Sequence, residues 1–342
     1  MTVLLIVSLA VLAWILTALL RRYALARSLL DVPNARSSHS LPTPRGGGVA
    51  IVVAFLLGLC VAFLTGLGIA TELFYALLGA GLGIALLGFL DDHGHIAARW
   101  RLLGHFLAAA WALYWLGGLP PLEVFGELLQ LSWIGHVLAA FYLVWLLNLY
   151  NFMDGIDGIA SVEAICVCLG AGILYLLLAA PAAAELSVLM LAAAVLGFLI
   201  WNFPPARIFM GDAGSGFLGI VLGILSLHAG WVDPVLLWAW LILLGVFIVD
   251  ATLTLLRRLL RGERVYEAHR SHAYQYASRR LGRHLPVTVS VVILNLVWLL
   301  PLAISVALGW LDGLVGVVVA YVPLLALAWF LGAGKAEVVA DA

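Results

Sequence analysis

Residues 133–158 read WIGHVLAAFYLVWLLNLYNFMDGIDG. The first part is apolar enough for a helix lying in hydrocarbon. The last eleven residues, Asn148–Gly158, carry two amides and two carboxylates. The stretch makes sense as the polar end of a membrane helix, provided that the rest of the chain is built the same way. It is. Only 10% of the 342 residues are charged, against about 25% in ordinary soluble proteins. The mean hydropathy of +1.15 agrees. Crossing a hydrocarbon core of roughly 30 Å takes about 20 apolar residues in a helix, and a helix satisfies its own backbone polar groups.

These rules predict an all-α, polytopic membrane protein with about eleven spans, near 3–20, 47–66, 70–90, 102–118, 133–149, 160–180, 186–202, 214–230, 234–256, 287–308 and 311–331. The first is expected to be an uncleaved helix, because no basic residue precedes its apolar run and Arg21 and Arg22 follow it. Threading the spans sorts all 17 Lys and Arg to one side. The N-terminus is therefore expected outside and the C-terminus in the cytoplasm. Residues 1–342 read as a single membrane domain with cytoplasmic loops near 21–46, 91–101, 150–159, 203–213 and 257–286. Cys60, Cys166 and Cys168 lie within spans without Cys-x-x-Cys spacing and read as packing residues.

The unusual polar clusters all fall on the basic side: Asp91-Asp92-His93-Gly94-His95, Asn148–Gly158, Asn202–Ser215, Asp250, and His269-Arg270-Ser271-His272. The opposite loops hold only scattered acids, among them Glu123, Glu127, Asp233 and Asp312. Adjacent carboxylates repel unless a proton or cation compensates. Asp91-Asp92 is thus a solvated helix end, or a base or metal-proximal pair. Asp154 and Asp157 would share one face of a helical turn, with Gly155 and Gly158 letting a ligand approach. In FMGDAGSG, from Phe209, Asp212 is either a helix N-cap or a ligand for Mg2+, a hard ion that takes carboxylate and phosphate oxygens. The helix start behind it suits phosphate. Pro42–Gly48 is a glycine-rich segment that a flexible loop explains equally well. The arginines of 257–286 are expected to attract anionic headgroups, while His269, Arg270 and His272 beside Tyr266 and Tyr274 suit a diphosphate. Asp250 is an intramembrane acid, functional or paired with Arg257 and Arg258.

Together NLYNFMDGIDGIA, FMGDAGSGFLG, the Asp91-Asp92 pair and His269–His272 resemble the polyprenyl-phosphate N-acetylhexosamine-1-phosphate transferases, glycosyltransferase family 4. DVPNARSSHSLPTPRGGG, from Asp31, resembles the branch that initiates O-antigen and related polymers. The resemblance implies attack of undecaprenyl phosphate on the β-phosphorus of a UDP-N-acetylhexosamine. UMP is released, and Mg2+ is the cofactor, with Mn2+ as a substitute. It implies that Asp212 binds the metal and that Asp91, with Asp92 beside it, activates the lipid phosphate. Asp154 is assigned to the catalytic group. Asp157, Asn202 and Phe209 contact uridine, with Asn148 and Asn151 nearby, and His269, Arg270 and His272 contact diphosphate or sugar. The implied setting is the bacterial inner membrane with the site on its cytoplasmic face, membrane lipids as partners, no nucleic acid, and room for a homodimer. Two departures are His95, where many members carry an acid, and His-Arg-Ser-His in place of His-x-His-His. The rivals are a muramoyl-pentapeptide transferase of the same family and, from another class, a secondary transporter. Transporters place ionisable residues near the midplane, whereas here they gather at one end.

Overall fold

The structure, a computed structural model, describes residues 1–33, 41–94, 96–263 and 269–336. His95, Arg36, Arg264 and Tyr266 lie outside the described residues. The described chain is nearly all α-helix. In order it runs α1 (Thr2–Ala26), β1 (Leu30–Asp31), β2 (Thr43–Pro44), α2 (Val49–Leu64), α3 (Thr71–Gly94), α4 (Ala98–Leu116), β3 (Leu122–Val124), β4 (Glu127–Leu129), α5 (Ser132–Met153), α6 (Ile159–Leu177) and α7 (Ala182–Asn202). The remainder is α8 (Asp212–Val232), α9 (Pro234–Leu243), α10 (Gly245–Leu260), α11 (Ala273–Leu281), α12 (Leu285–Leu294), a π-helical turn (Asn295–Leu299), α13 (Leu300–Ala307) and α14 (Gly313–Leu331).

Nine of the eleven expected runs coincide with one helix each, with ends differing by a turn or two, while 234–256 falls on α9 and α10, and 287–308 on α12, the π-helical turn and α13. Among the described residues eight helices, counting α12 to α13 as one, are long and apolar enough to cross a membrane, short of the eleven expected. The pair α9 and α10 makes a ninth, broken at Leu244 with a bend of 68°. α2 is apolar but has only 16 residues. α4 carries Arg99, Arg101 and His105 in its first turns and falls outside that set.

α8 is the axis of the bundle. In its apolar window 83% of residues are buried inside the protein, against 17% for α1 and 22% for α14. It packs on α3, α5 and α9. In a membrane such contact rests on close packing rather than on a hydrophobic driving force, so small residues sit at the interface. A Cβ on Gly219 would lie 2.6 Å from the Leu147 Cα, which puts the α5 and α8 backbones in contact. The buried Glu163 carboxylate on α6 faces the first turn of α10 near Phe247 and accepts Asn295 Nδ2 at 2.7 Å from the π-helical turn.

At one end of the bundle β3 and β4 pair as an antiparallel hairpin with Glu123 opposite Leu128, turning through Phe125 and Gly126, both at positive φ. At the other end the last turns of α3, α5 and α7 meet the first turn of α8. Within the expected 257–286 loop the described residues include two helical stretches: α10 runs on to Leu260, and α11 fills Ala273–Leu281.

Candidate active site

α8 begins at Asp212, after Gly211 at φ 79°. Gly211 is the N-cap, and the Asp212 side chain makes no capping bond. Capping comes instead from α3, where Asp92 Oδ2 accepts the Ala213 N–H at 3.4 Å. That leaves the Asp212 carboxylate, 39% exposed, free to face the cleft. α3 reaches this point because Gly88 has no side chain: a Cβ there would lie 2.6 Å from the Asp212 backbone. The glycine-rich segment is equally ordered. Gly47 and Gly48 donate to Phe209 O and Met210 O, both at 2.9 Å, and Phe209 donates to Pro44 O at 2.8 Å. Residues 44–48 are therefore held against the start of α8, and Arg45 lines the cleft.

The cleft has a volume of about 290 Å3. Asp92, Asn151, Asp154, Asp157, Asn202, Phe209 and Asp212 all line it. Asp154 and Asp157 are not on a helical face as expected. α5 stops at Met153, and the following Asp-Gly-x-Asp-Gly is a turn closed by Gly158 at φ 75°. The turn is tied down from several sides. Asp157 Oδ2 accepts the Ala206 N–H at 3.0 Å, and Asp157 Oδ1 lies 3.1 Å from His284 Nδ1. Asn202 accepts the Gly158 N–H and donates to Ile208 O, each at 3.0 Å. Asn151 donates to Ser215 Oγ at 3.1 Å. Asp154 keeps one edge open to the cleft while protein packs the rest of it. Burial, then the carboxylates of Asp212, Asp157 and Asp92, push its carboxyl well above the ordinary value.

An apolar groove adjoins this cleft and shares two lining residues with it, Asn151 and Asp212. Ile84, Leu87, Leu102 and Leu147 supply its hydrocarbon walls. Its polar groups are Asp91, Arg101, His105 and Asn148. Arg101 Nη1 is 2.5 Å from Asp91 Oδ2 and 3.9 Å from Asp212 Oδ2. Asp91 Oδ1 accepts the Ile96 N–H at 2.6 Å, so this acid is a structured pair with Arg101 and not a solvated helix end. Asn148 Nδ2 lies 3.3 Å from His105 Nδ1. A third, larger hollow opens beyond Asp157, Phe209 and His284, walled by Thr43, Pro204 and Arg283.

His269, Arg270 and His272 do not line these cavities. They sit where α10 turns into α11. His272 is buried, with its ring stacked on His269 at 4.9 Å and on Tyr274 at 5.6 Å. Three of the arginines expected to reach for lipid headgroups have internal partners. Arg258 pairs with Glu263 at 2.8 Å, Arg257 lies 4.0 Å over Trp329, and Arg261 donates to Gly334 O.

Several residues at the cleft were not singled out in the sequence: Asp31, Arg45, Arg101, Ser215, Gln275 and His284. Arg45 donates to Asp92 O. Ser215 lies inside the Phe209–Gly216 motif, and Asp31 and Arg45 lie in the Asp31–Gly48 segment; Arg101, Gln275 and His284 lie on segments remote from the two acidic motifs, so no local spacing marks them. Tyr274 belongs with them. Burial, then Asp250 and Asp154, push its phenol well above the usual value and keep it a neutral hydroxyl.

Among the described residues no three Asp, Glu, His or Cys side chains form a ready metal cage. The donors present are hard carboxylate oxygens, those of Asp92, Asp154, Asp157 and Asp212, facing one cleft. That set fits Mg2+, which binds through one or two carboxylates and completes its shell with phosphate oxygens and water.

The profile described as glycosyl transferase family 4 matches residues 74–230. A probable undecaprenyl-phosphate N-acetylglucosaminyl 1-phosphate transferase from Bacillus subtilis is 31% identical over 300 residues, 83% of this chain and 78% of that protein. An undecaprenyl-phosphate alpha-N-acetylglucosaminyl 1-phosphate transferase from Thermotoga maritima is 27% identical over 277 residues, 80% of this chain and 81% of that one. A phospho-N-acetylmuramoyl-pentapeptide-transferase from Moorella thermoacetica is 38% identical over 199 residues, 54% of this chain and 61% of its own.

Proposed function

The chain belongs to glycosyl transferase family 4, the polyprenyl-phosphate N-acetylhexosamine-1-phosphate transferases, and from that membership we propose that it transfers N-acetylhexosamine-1-phosphate from a UDP-sugar to undecaprenyl phosphate in the bacterial inner membrane. An oxygen of the lipid phosphate bonds to the β-phosphorus, the bond from that phosphorus to the bridging oxygen breaks, and UMP leaves with the electron pair. The product is an undecaprenyl-diphosphate-linked sugar on which an O-antigen or related polymer begins.

One observation carries the reading: a carboxylate-lined polar cleft and an apolar groove meet at Asn151 and Asp212. A soluble nucleotide sugar and a lipid phosphate need that kind of junction. Asp157, Asn202 and Phe209 hold the uridine end, with the hollow past Phe209 for the base. Arg101, anchored by Asp91, takes the lipid phosphate where the groove ends. Phosphoryl transfer asks the protein mainly for positioning and charge compensation. Mg2+ held by Asp212 would neutralise charge on the diphosphate. Asp91 and Asp92 hold the two arginines, Arg101 and Arg45, at the rim, and Asp154 sets the charge beside the transferring phosphorus.

The muramoyl-pentapeptide reading is favoured by the higher identity to the Moorella protein, but over a shorter match. Support for the N-acetylhexosamine reading is the longer alignment to the Bacillus protein and the Asp31–Gly48 segment, whose Asp31 and Arg45 line the cleft. The test is purified protein with undecaprenyl phosphate, Mg2+ and a panel of UDP-sugars that includes UDP-N-acetylmuramoyl-pentapeptide. UMP should appear one-for-one with lipid-linked N-acetylhexosamine diphosphate. Turnover of the muramoyl substrate alone would favour the second reading, and no UMP from any donor would end both. The cytoplasmic placement is tested by labelling a single cysteine at the exposed position Arg280. An impermeant reagent should react in inverted vesicles and not in intact cells.

A further inference from the structure

Asp154 and Asp157 sit on a turn without regular structure, in a cluster whose members repel. Something must hold that turn in place. Besides the ties from Ala206, His284 and Asn202 it has a further brace in α11, which no assigned role so far explains. The Tyr274 hydroxyl donates to Phe152 O at 2.9 Å and packs against Gly155. One side chain therefore bridges the backbone on both sides of Asp154. Contact is so close that a methyl added at Gly155 would overlap the Tyr274 hydroxyl and stand 3.1 Å from Gln275 Nε2. Gly155 is small because of Tyr274, not only to admit a ligand.

α11 is in turn fixed by Asp250. This acid on α10 is 5% exposed. Asp250 Oδ1 accepts the Ala273 N–H at 2.9 Å, and Asp250 Oδ2 accepts the Tyr274 N–H at 3.0 Å. Thr254 Oγ1 donates to Oδ1 at 3.2 Å, and His272 Nδ1 lies 3.4 Å from it. A carboxylate at the first N–H groups of a helix, supplied from another helix, satisfies donors that have no partner within their own turn. With both oxygens engaged by the protein and no place in the cleft lining, Asp250 is not a substrate group.

We propose that Asp250 and Tyr274 are positioning residues for the transfer: Asp250 sets the start of α11, and Tyr274 staples residues 152–155 so that the acid cluster keeps its spacing. This role rests on the transferase reading for its kinetic consequence, though not for its structural one.

The experiment compares Tyr274→Phe, Asp250→Ala, Gly155→Ala and the double variant Gly155→Ala/Tyr274→Phe in the purified full-length protein. The readouts are UMP release, melting temperature and hydrogen exchange of residues 150–160. Loss of one buried hydrogen bond in the staple should lower kcat by about five- to tenfold in Tyr274→Phe. KM for the UDP-sugar should change by less than about twofold, since contact with the nucleotide is untouched. Exchange should quicken at 152–158 with the melting temperature close to wild type. Asp250→Ala should show the same pattern more strongly. Gly155→Ala should be impaired, and adding Tyr274→Phe should restore part of its activity by removing the overlapping hydroxyl. Wild-type exchange and wild-type turnover in Tyr274→Phe would overturn the proposal. So would a lowered melting temperature with unchanged kcat per folded molecule, the result of a brace that only holds the fold. If the wild-type protein releases no UMP from any donor, the transferase reading fails instead, and exchange at 152–158 still decides the staple.

Discussion

The two ends of the bundle use acids in opposite ways. At the hairpin end Asp233 accepts the Val235 N–H at 3.1 Å and starts α9. Asp312 there accepts the Leu314 and Val315 N–H groups at 3.0 and 3.3 Å and starts α14. These acids are satisfied by the helices they begin. At the cleft end Asp212 stands in the first turn of α8 without capping it, and Asp92, Asp154 and Asp157 face the same space. An acid satisfied by its own helix stabilises the fold. Acids crowded across a cleft destabilise it unless a cation or a ligand's donors arrive, and that cost is a sign of use.

The largest effect that would break this contrast concerns Asp212. Asp212→Asn keeps the size of the side chain and removes the charge that a hard cation needs. UMP release should fall by at least about a hundredfold, with a melting temperature no lower than wild type, because no capping bond is lost. A stable variant with ordinary turnover and ordinary Mg2+ dependence would take the metal away from this residue.

Next in size is the pH dependence set by Asp154. Its carboxyl is held well above the ordinary value, first by burial and then by Asp212, Asp157 and Asp92. The folded protein therefore binds this proton more readily than the unfolded chain does. Stability must then fall as pH rises from the ordinary carboxylate range through the raised value. Asp154→Asn is neutral throughout. With EDTA present it should melt about 2–4 °C above wild type near pH 8, and the gap should close toward pH 4. Turnover of the variant should still drop, since a carboxylate that ionises when Mg2+ and substrate enter the cleft is lost. Equal melting curves at both pH values would mean that the cluster carries no repulsion to relieve.

The acid motifs were legible because their parts are close in sequence. Asn148 to Asp157 lies on one short stretch of chain, and Phe209 to Gly216 on another, so residue type and spacing marked both. The eleven apolar runs were legible for the same reason. What escaped notice is what the fold brings in from a distance. Arg101, Gln275 and His284 each read as an isolated polar residue, and α11 was hidden in a basic stretch taken for a headgroup-binding loop. The break at Leu244 leaves no more than Gly245 inside an apolar run to mark it. Asp250 read as a functional acid or an arginine partner, and only tertiary contact shows it anchoring α11. His269 and His272 carry a motif's residue types, yet stacking and burial set them beside the start of α11 and outside the cleft walls.

The smallest effect is expected at the opposite end, and it sharpens the contrast most. Asp312 accepts two N–H groups of α14 and also the Phe125 N–H at 2.7 Å, which ties the β3–β4 hairpin to that helix. Replacing a capping Asp by Ala typically costs about 1 kcal/mol, or about 2–4 °C in a protein of this size or somewhat smaller. Asp312→Ala should therefore melt slightly earlier and release UMP within about twofold of wild type below its transition. α14 does meet the cleft-end elements through α10 and α11, so a route between the ends exists. If it carries energy, Asp312→Ala would slow turnover at temperatures where the protein is fully folded and would quicken hydrogen exchange at 152–158. If it does not, only exchange around the hairpin and the first turn of α14 should change. In the second case, the acids of the hairpin end only hold the bundle together, while Asp212 and Asp154 at the cleft end are left to serve a charged substrate.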